Sequence, residues 1–140
     1  MGNTYPTTLN PLFILQKKAV RLITFSKFDD HSSPIFKSLN IVKLHDLVDL
    51  QLAILVFKYH NNLLPSVFDT FFIQVNKIHS YNTRSAARQS YYLPRARTNY
   101  GKFNIRFKGP KIWNSIADDM KCGTLRKFKK ELKDKFINLY

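Results

Sequence analysis

Apolar positions recur at helical spacing through the first half of the chain and at a spacing of two in part of the second. Asn10-Pro11 reads as a helix N-cap followed by proline at the first helical position, where its missing N–H costs nothing. The helix it starts is predicted to run to about Phe25, with Leu12, Leu15, Ala19, Leu22 and Ile23 on one face and Gln16, Lys17, Lys18 and Arg21 on the other. Ser33-Pro34 repeats the signature and predicts a short helix to Leu39. A third helix, from about Lys43 to Asn61, is apolar around most of its circumference. Leu47, Leu50, Ile54 and Phe57 make one stripe, Leu44, Val48, Leu52, Leu55 and Tyr59 another, and His45, Asp46 and Asp49 mark a narrow polar strip. Such a helix belongs at the centre of a core. Asn61-Asn62 ends it, and Pro65 is predicted to start a brief helix to about Phe72.

At Ile73 the composition turns to Ser, Asn, Arg and Tyr, which makes the stretch to about Gln89 a candidate mobile loop. Beyond it Phe103, Ile105 and Phe107 alternate with Lys102, Asn104, Arg106 and Lys108, the pattern of a strand with an apolar and a cationic face. Asn99-Tyr100-Gly101 supplies a turn, and Tyr91 to Arg97 is predicted to pair back as an edge strand restricted by Pro94. Gly109-Pro110 is expected to cap a short helix burying Ile112, Trp113 and Ile116. The last helix, about Thr124 to Leu139, aligns Leu125, Phe128, Leu132, Phe136 and Leu139, supported by the spacings Lys127 to Glu131 and Glu131 to Lys135. The expected fold class is therefore α+β, mainly α: a small helical core with a basic antiparallel β-hairpin and a C-terminal amphipathic helix. The expected organisation is a single domain over 1–140, with a helical part (1–73), a basic loop, hairpin and short helix (74–117), and the amphipathic helix (118–140).

Charge changes this picture. Between Asp69 and Asp118 there is no carboxylate side chain, while Lys77, Arg84, Arg88, Arg95, Arg97, Lys102, Arg106, Lys108 and Lys111 contribute nine of the positive charges behind a net +14. Tyr81, Tyr91, Tyr92, Tyr100, Phe103, Phe107 and Trp113 are interleaved with them. A positive field set with flat rings suits a phosphate backbone with stackable bases. A chain of 140 residues, 44% hydrophobic, is also long enough to bury one core, so the basic segment is expected on a folded scaffold.

Cys122 is the only cysteine, which excludes an internal disulfide and a thiolate zinc cluster and fits a reducing compartment, cytoplasmic or nuclear. The first residues lack the basic-then-apolar pattern of a secretory signal, and Pro6 stands where a myristoylation motif needs Ser or Thr. Apolar runs such as Leu52 to Phe57 fall far short of the ~18 residues of a spanning helix. The expected chain is soluble or peripheral and intracellular.

Candidate catalytic constellations are weak. Ala117-Asp118-Asp119 has the look of a polymerase metal-binding turn, but Met120-Lys121-Cys122-Gly123 follows where an apolar strand is needed. Asp29-Asp30 precedes a helix cap and reads as a turn. His31, His45, His60 and His79 are too dispersed for a familiar ligand pattern. His79 beside Ser80 invites a hydrolase reading, yet neighbours in a loop rarely serve as nucleophile and base. There is no glycine-rich phosphate loop, and no cofactor or small-molecule substrate is implied.

Within the basic segment, strict alternation assigns Phe103, Ile105, Phe107 and Trp113 to the core. The cations resist the same reading, because a merely solvated face mixes signs. The candidate nucleic-acid-binding residues are therefore Arg84, Arg88, Arg95, Arg97, Lys102, Arg106, Lys108 and Lys111, with Tyr81, Tyr92 and Tyr100 as stacking rings. The final helix, with Arg126, Lys127, Lys129, Lys130, Lys133 and Lys135, carries an alternative: an anionic membrane surface or a partner's groove. The commoner arrangement is a core helix with a snorkelling basic rim, which disfavours the membrane.

Four blocks in one order carry a resemblance: Leu15-Gln16-Lys17-Lys18-Ala19-Val20-Arg21-Leu22-Ile23, His79-Ser80-Tyr81-Asn82-Thr83-Arg84-Ser85, Arg97-Thr98-Asn99-Tyr100-Gly101-Lys102-Phe103 and Gly109-Pro110-Lys111-Ile112-Trp113-Asn114-Ser115. Together they resemble the region downstream of the polymerase core in reverse transcriptases of LINE-type (non-LTR) retrotransposons of the Jockey and Rex kind. The resemblance implies a C-terminal piece of an RNA-directed DNA polymerase, separated from the endonuclease and from the metal-binding aspartates. Such a piece would be noncatalytic and would help hold template RNA or target DNA. A third reading is a retroelement relic without a cellular role. Members of that family that carry a Cys/His zinc knuckle depart from this chain, which has one cysteine.

Overall fold

Pro6, not Pro11, opens the first helix. The computed structural model describes residues 4–78, 80, 81 and 83–140, and in it α1 (Pro6–Ile23) starts more than a turn earlier than the Asn10-Pro11 signature predicts, with Tyr5 at the N-cap and Pro11 inside the helix. There follow α2 (Ser32–Ser38), α3 (Leu44–His60), α4 (Arg84–Ala87), α5 (Ile105–Ser115), α6 (Asp118–Lys121) and α7 (Leu125–Asn138), with single 3-10 turns at Ser66–Thr70, Val75–Lys77 and Gly101–Phe103. The helices α1 to α4 end alike. Phe25, Asn40, Asn62 and Gln89 take left-handed φ values of 53°, 54°, 55° and 51°, and the next N–H returns to the last turn, as in Ser26 to Arg21, Ile41 to Phe36, Leu63 to Lys58 and Ser90 to Ser85. This closes otherwise orphaned carbonyls. Asn at two of the four is the side chain that tolerates the conformation best after glycine.

The chain divides into two compact units. One takes the chain up to Leu50 together with Lys129–Tyr140, the other Gln51–Phe128. In the first, Val20, Ile35 and Phe36 form the buried centre, with Phe13, Leu39, Ile41 and Tyr140 packed on it. Gln16 ties α1 to the start of α3, donating to the Val42 carbonyl at 3.0 Å and accepting from the Leu44 N–H at 2.9 Å. The terminal Tyr140 hydroxyl accepts from the Lys43 N–H at 2.9 Å and donates to Asp46 Oδ2 at 2.6 Å, while Lys43 Nζ sits 3.9 Å from its ring centroid. Burial and the Asp46 carboxylate raise the Tyr140 pKa, so the phenol keeps its proton for that bond.

These contacts correct the expected face of α1. The stripe Leu12, Leu15, Leu22 and Ile23 is exposed, and Phe13, Gln16 and Val20 point inward. The reason is Gln16: a side chain that satisfies two backbone groups at the start of α3 sets the rotation of the helix, at the expense of an apolar stripe left in water.

In the second unit the core is aromatic. Trp113, Tyr91, Phe57, Phe72 and Phe128 are all buried. Phe57 stacks on Phe128 at 4.4 Å between centroids and meets Trp113 edge-on at 6.3 Å, and Trp113 lies 6.1 Å from Phe128 and 6.2 Å from Tyr91. Gly109 faces this core from α5. A Cβ there would come within 3.0 Å of Phe72 and 3.1 Å of Val56, both buried, so glycine's missing side chain sets the distance of approach.

The β-hairpin does not form. Among the described residues there is no strand, and the pairing that exists is a lone antiparallel bridge between Gln74 and Tyr91. The fold is mainly α, not α+β. Two local facts explain it. First, Asn104 is a helix cap, not an outward-facing strand residue: its side chain accepts from the Arg106 N–H at 2.9 Å, so α5 begins at Ile105, in the middle of the alternating run. From there Gly109, Pro110, Trp113 and Ile116 are buried at helical spacing, which outweighs an alternation carried by three apolar residues. Second, the partner strand is already engaged. The Asn114 side chain accepts from the Tyr91 N–H at 3.0 Å and donates to the Tyr91 carbonyl at 2.8 Å, and Tyr92 N–H and Ser90 carbonyl bond Ile73 and Val75. Consequently Phe103 and Phe107 are half-buried and Ile105 exposed, and of the four residues assigned to the core from this segment Trp113 alone is fully enclosed. Gly109-Pro110 lies inside α5 instead of capping it. The expected mobile loop contains a 3-10 turn and α4, whose first turn is capped by Thr83 Oγ1 accepting from the Ala86 N–H.

Candidate nucleic-acid interface

Three of the eight cations expected to meet phosphate come together. Arg95 and Arg97, two apart in an irregular stretch after Pro94, and Arg106 in the first turn of α5 line one concavity of about 320 Å³ with Pro94, Asn104 and Phe107, and no carboxylate is among its lining residues. The Arg106 guanidinium lies 4.6 Å from the centroid of the Phe71 ring. That stacking covers one face of the group and leaves its N–H edge to make hydrogen bonds. Neither Phe71 nor Asn104 was among the expected site residues. An N-cap Asn two residues before an Arg is the signal in the sequence that would have found the second; the first is contributed across the fold.

The other cations are dispersed. Arg84, Lys102 and Lys111 are exposed, Lys108 is half-buried, and Lys102 Nζ donates to Asn99 Oδ1 at 3.1 Å. Arg88 is answered from just outside the carboxylate-free segment: its Nε lies 3.8 Å from Asp118 Oδ2, and Lys121 Nζ lies 2.7 Å from Asp118 Oδ1. Asp118 is thus the N-terminal residue of α6 and an ion-pair partner. Its pKa is lowered by the hydrogen bond and charge of Lys121, with Arg88 adding less. The three candidate stacking rings are all exposed, Tyr81 and Tyr100 to 77% and Tyr92 to 45%.

Arg88 instead borders a second concavity, of about 340 Å³, with His60, Trp113, Asp118, Lys121 and Cys122. His60 Nδ1 lies 3.1 Å from the Tyr91 hydroxyl, and its ring is 5.0 Å from that of Trp113. Burial raises the Tyr91 pKa, so the phenol stays protonated. Burial and then the charge of Lys121 lower the His60 pKa from its ordinary 6.5, against a smaller opposing effect of Gln89. A histidine whose folded pKa is depressed contributes stability that is complete above the ordinary value and is lost as pH falls through the folded one. The imidazole resonance of His60 is expected to titrate below 6.5 in a proton-detected NMR titration of the folded chain. A midpoint at or above that value would show that the ring is not enclosed as described.

Among the described residues no group of three or more His, Cys, Asp or Glu side chains is placed to hold a metal ion, and no helix is long and apolar enough to cross a membrane. His79 and Asn82, part of one resembling block, lie outside the described residues. Compared with protein-family models, with curated proteins and with solved structures, the chain gives no match.

Proposed function

We propose that this chain is a noncatalytic nucleic-acid-binding element, a C-terminal piece of an RNA-directed DNA polymerase of the LINE-type kind, that holds template RNA or target DNA electrostatically. The observation that carries the reading is that Arg84, Arg95, Arg97, Lys102, Arg106 and Lys111 are exposed and have no acidic partner among the described residues. Ordinary surfaces intersperse both signs, and a run of unanswered cations stores repulsion that a polyanion relieves. The exposed Tyr81, Tyr92 and Tyr100 add rings on which unpaired bases would stack. The resemblance of the four sequence blocks supplies the parent enzyme.

The alternative through α7 is less well supported. Phe128, Leu132 and Ile137 are buried, so the apolar face that a membrane- or groove-binding helix would present is already covered, and the basic side chains of α7 form a rim around it.

The test is a binding titration of an unstructured single-stranded RNA or DNA with the full chain and with the combined variant Arg95→Ala, Arg97→Ala, Arg106→Ala. The variant is expected to bind more than about 30-fold more weakly at ~50 mM salt, since each lost phosphate contact removes its share of counterion release. Unchanged affinity would remove these arginines from the interface.

A further inference from the structure

We propose that the concavity between Pro94–Arg97 and the first turn of α5 is a discrete site for a phosphate monoester at the end of a nucleic-acid strand. The inference rests on the nucleic-acid reading and narrows it to one ligand group. Arg95, Arg97 and Arg106 all line one cavity, and no carboxylate is among its lining residues. A terminal phosphate carries close to two negative charges near neutral pH and offers three oxygens as strong acceptors, one for each guanidinium. An internal phosphodiester carries a single charge and has two free oxygens, which would leave the third arginine unanswered. Arginine, with its fixed fork of donors, is the side chain suited to such planar recognition.

The cavity is also organised in advance. Arg106 is held by its stack on Phe71, at 4.6 Å from guanidinium to ring centroid. Asn104 uses its side-chain oxygen on the Arg106 N–H at 2.9 Å, which orients the carboxamide at the rim and leaves its NH2 group as a further donor. Pro94 restricts the backbone ahead of Arg95. Phe107 and Pro94 give the cavity an apolar wall, against which a terminal sugar or base packs while the phosphate takes the arginines. A flat electrostatic surface has neither feature, and it would bind strand ends and interiors alike.

The experiment compares short single strands of one sequence with a 5′-phosphate, a 3′-phosphate or hydroxyl ends, titrated against the full chain by fluorescence anisotropy. Strands with a terminal phosphate are expected to bind about fivefold or more tightly than the hydroxyl-ended strand, the effect of one added set of charge-assisted hydrogen bonds. That preference should vanish in the combined Arg95→Gln, Arg97→Gln, Arg106→Gln variant. It should persist in an Arg84→Gln, Lys111→Gln variant, which loses affinity for all strands by a common factor. All five are exposed positions, and circular dichroism reports whether each variant stays folded. Equal binding of phosphate- and hydroxyl-ended strands by the unsubstituted chain overturns the site and leaves the electrostatic reading standing. If no strand binds, the nucleic-acid reading fails, and a titration with phenyl phosphate then decides the cavity. Shifts of the arginine Nε–H resonances that the triple variant lacks keep a phosphomonoester site; their absence removes it.

Discussion

Raising salt from ~50 to ~200 mM should weaken the binding of a single strand by about 300-fold, with the logarithm of the affinity falling linearly against the logarithm of the salt concentration. The magnitude follows from the cations that the fold leaves exposed and without an acidic partner among the described residues: Arg84, Arg95, Arg97, Lys102, Arg106 and Lys111. Each phosphate neutralised on a single strand contributes about 0.7 to the slope, so full engagement of these cations predicts a slope near −4. Arg88 is left out of that count because Asp118 answers it at 3.8 Å, and binding through it would have to break an existing pair. The combined Arg95, Arg97 and Arg106 variant should show about half the slope, whereas loss of an exposed tyrosine should lower affinity with the slope unchanged. A slope near zero in the unsubstituted chain would sink the electrostatic mechanism.

Replacing Trp113 by alanine should remove a large part of the stability of Gln51–Phe128. Trp113 is fully buried and packs on Phe57, Tyr91, Phe128 and His60 at centroid distances between 5.0 and 6.3 Å. Truncating such a residue costs about 3–5 kcal/mol through lost burial and the cavity left behind, a large part of the roughly 5–15 kcal/mol by which domains are stable. Trp113 also neighbours Asn114, whose side chain satisfies both backbone groups of Tyr91, so collapse of α5 around the cavity would unpair those groups as well. Loss of the cooperative thermal transition followed by far-ultraviolet circular dichroism, or its displacement to much lower temperature, is the expected readout, with Trp113→Phe displaced less. A Trp113→Ala chain melting within a few degrees of the unsubstituted one would mean that the aromatic cluster is not what holds this unit.

Both predictions depend on α5, the element least legible in the sequence. The alternation of Phe103, Ile105 and Phe107 with Lys102, Asn104, Arg106 and Lys108 fits a strand. The same residues also fit the start of a helix once Asn104 is taken as its cap, and over seven positions the two periods are hard to separate. Burial of Gly109, Pro110, Trp113 and Ile116 decides for the helix, and it needs Val56 and Phe72, far away in the chain, to supply the surface that Gly109 meets. Of the candidate site, the residue types were legible from charge and aromatic content. Their grouping was not: Arg95 and Arg97 share a concavity with Arg106 of α5, and Arg88 pairs with Asp118 at the start of α6.

The excess of positive charge is plain from composition, and α2, α3 and α7 are legible to within a residue or two, because helix caps and 3.6-residue periodicity act over a few neighbouring positions. Tertiary structure alone decided three things: which face of α1 is inward, that Tyr91 bonds an Asn side chain 23 residues away instead of a strand, and which arginines share a cavity. Each is settled by hydrogen bonds or packing between segments distant in sequence. The physical reason is common to them all. A buried backbone group must find a partner, and when a remote Gln16 or Asn114 satisfies it, the local pattern of apolar residues loses its say over orientation and pairing.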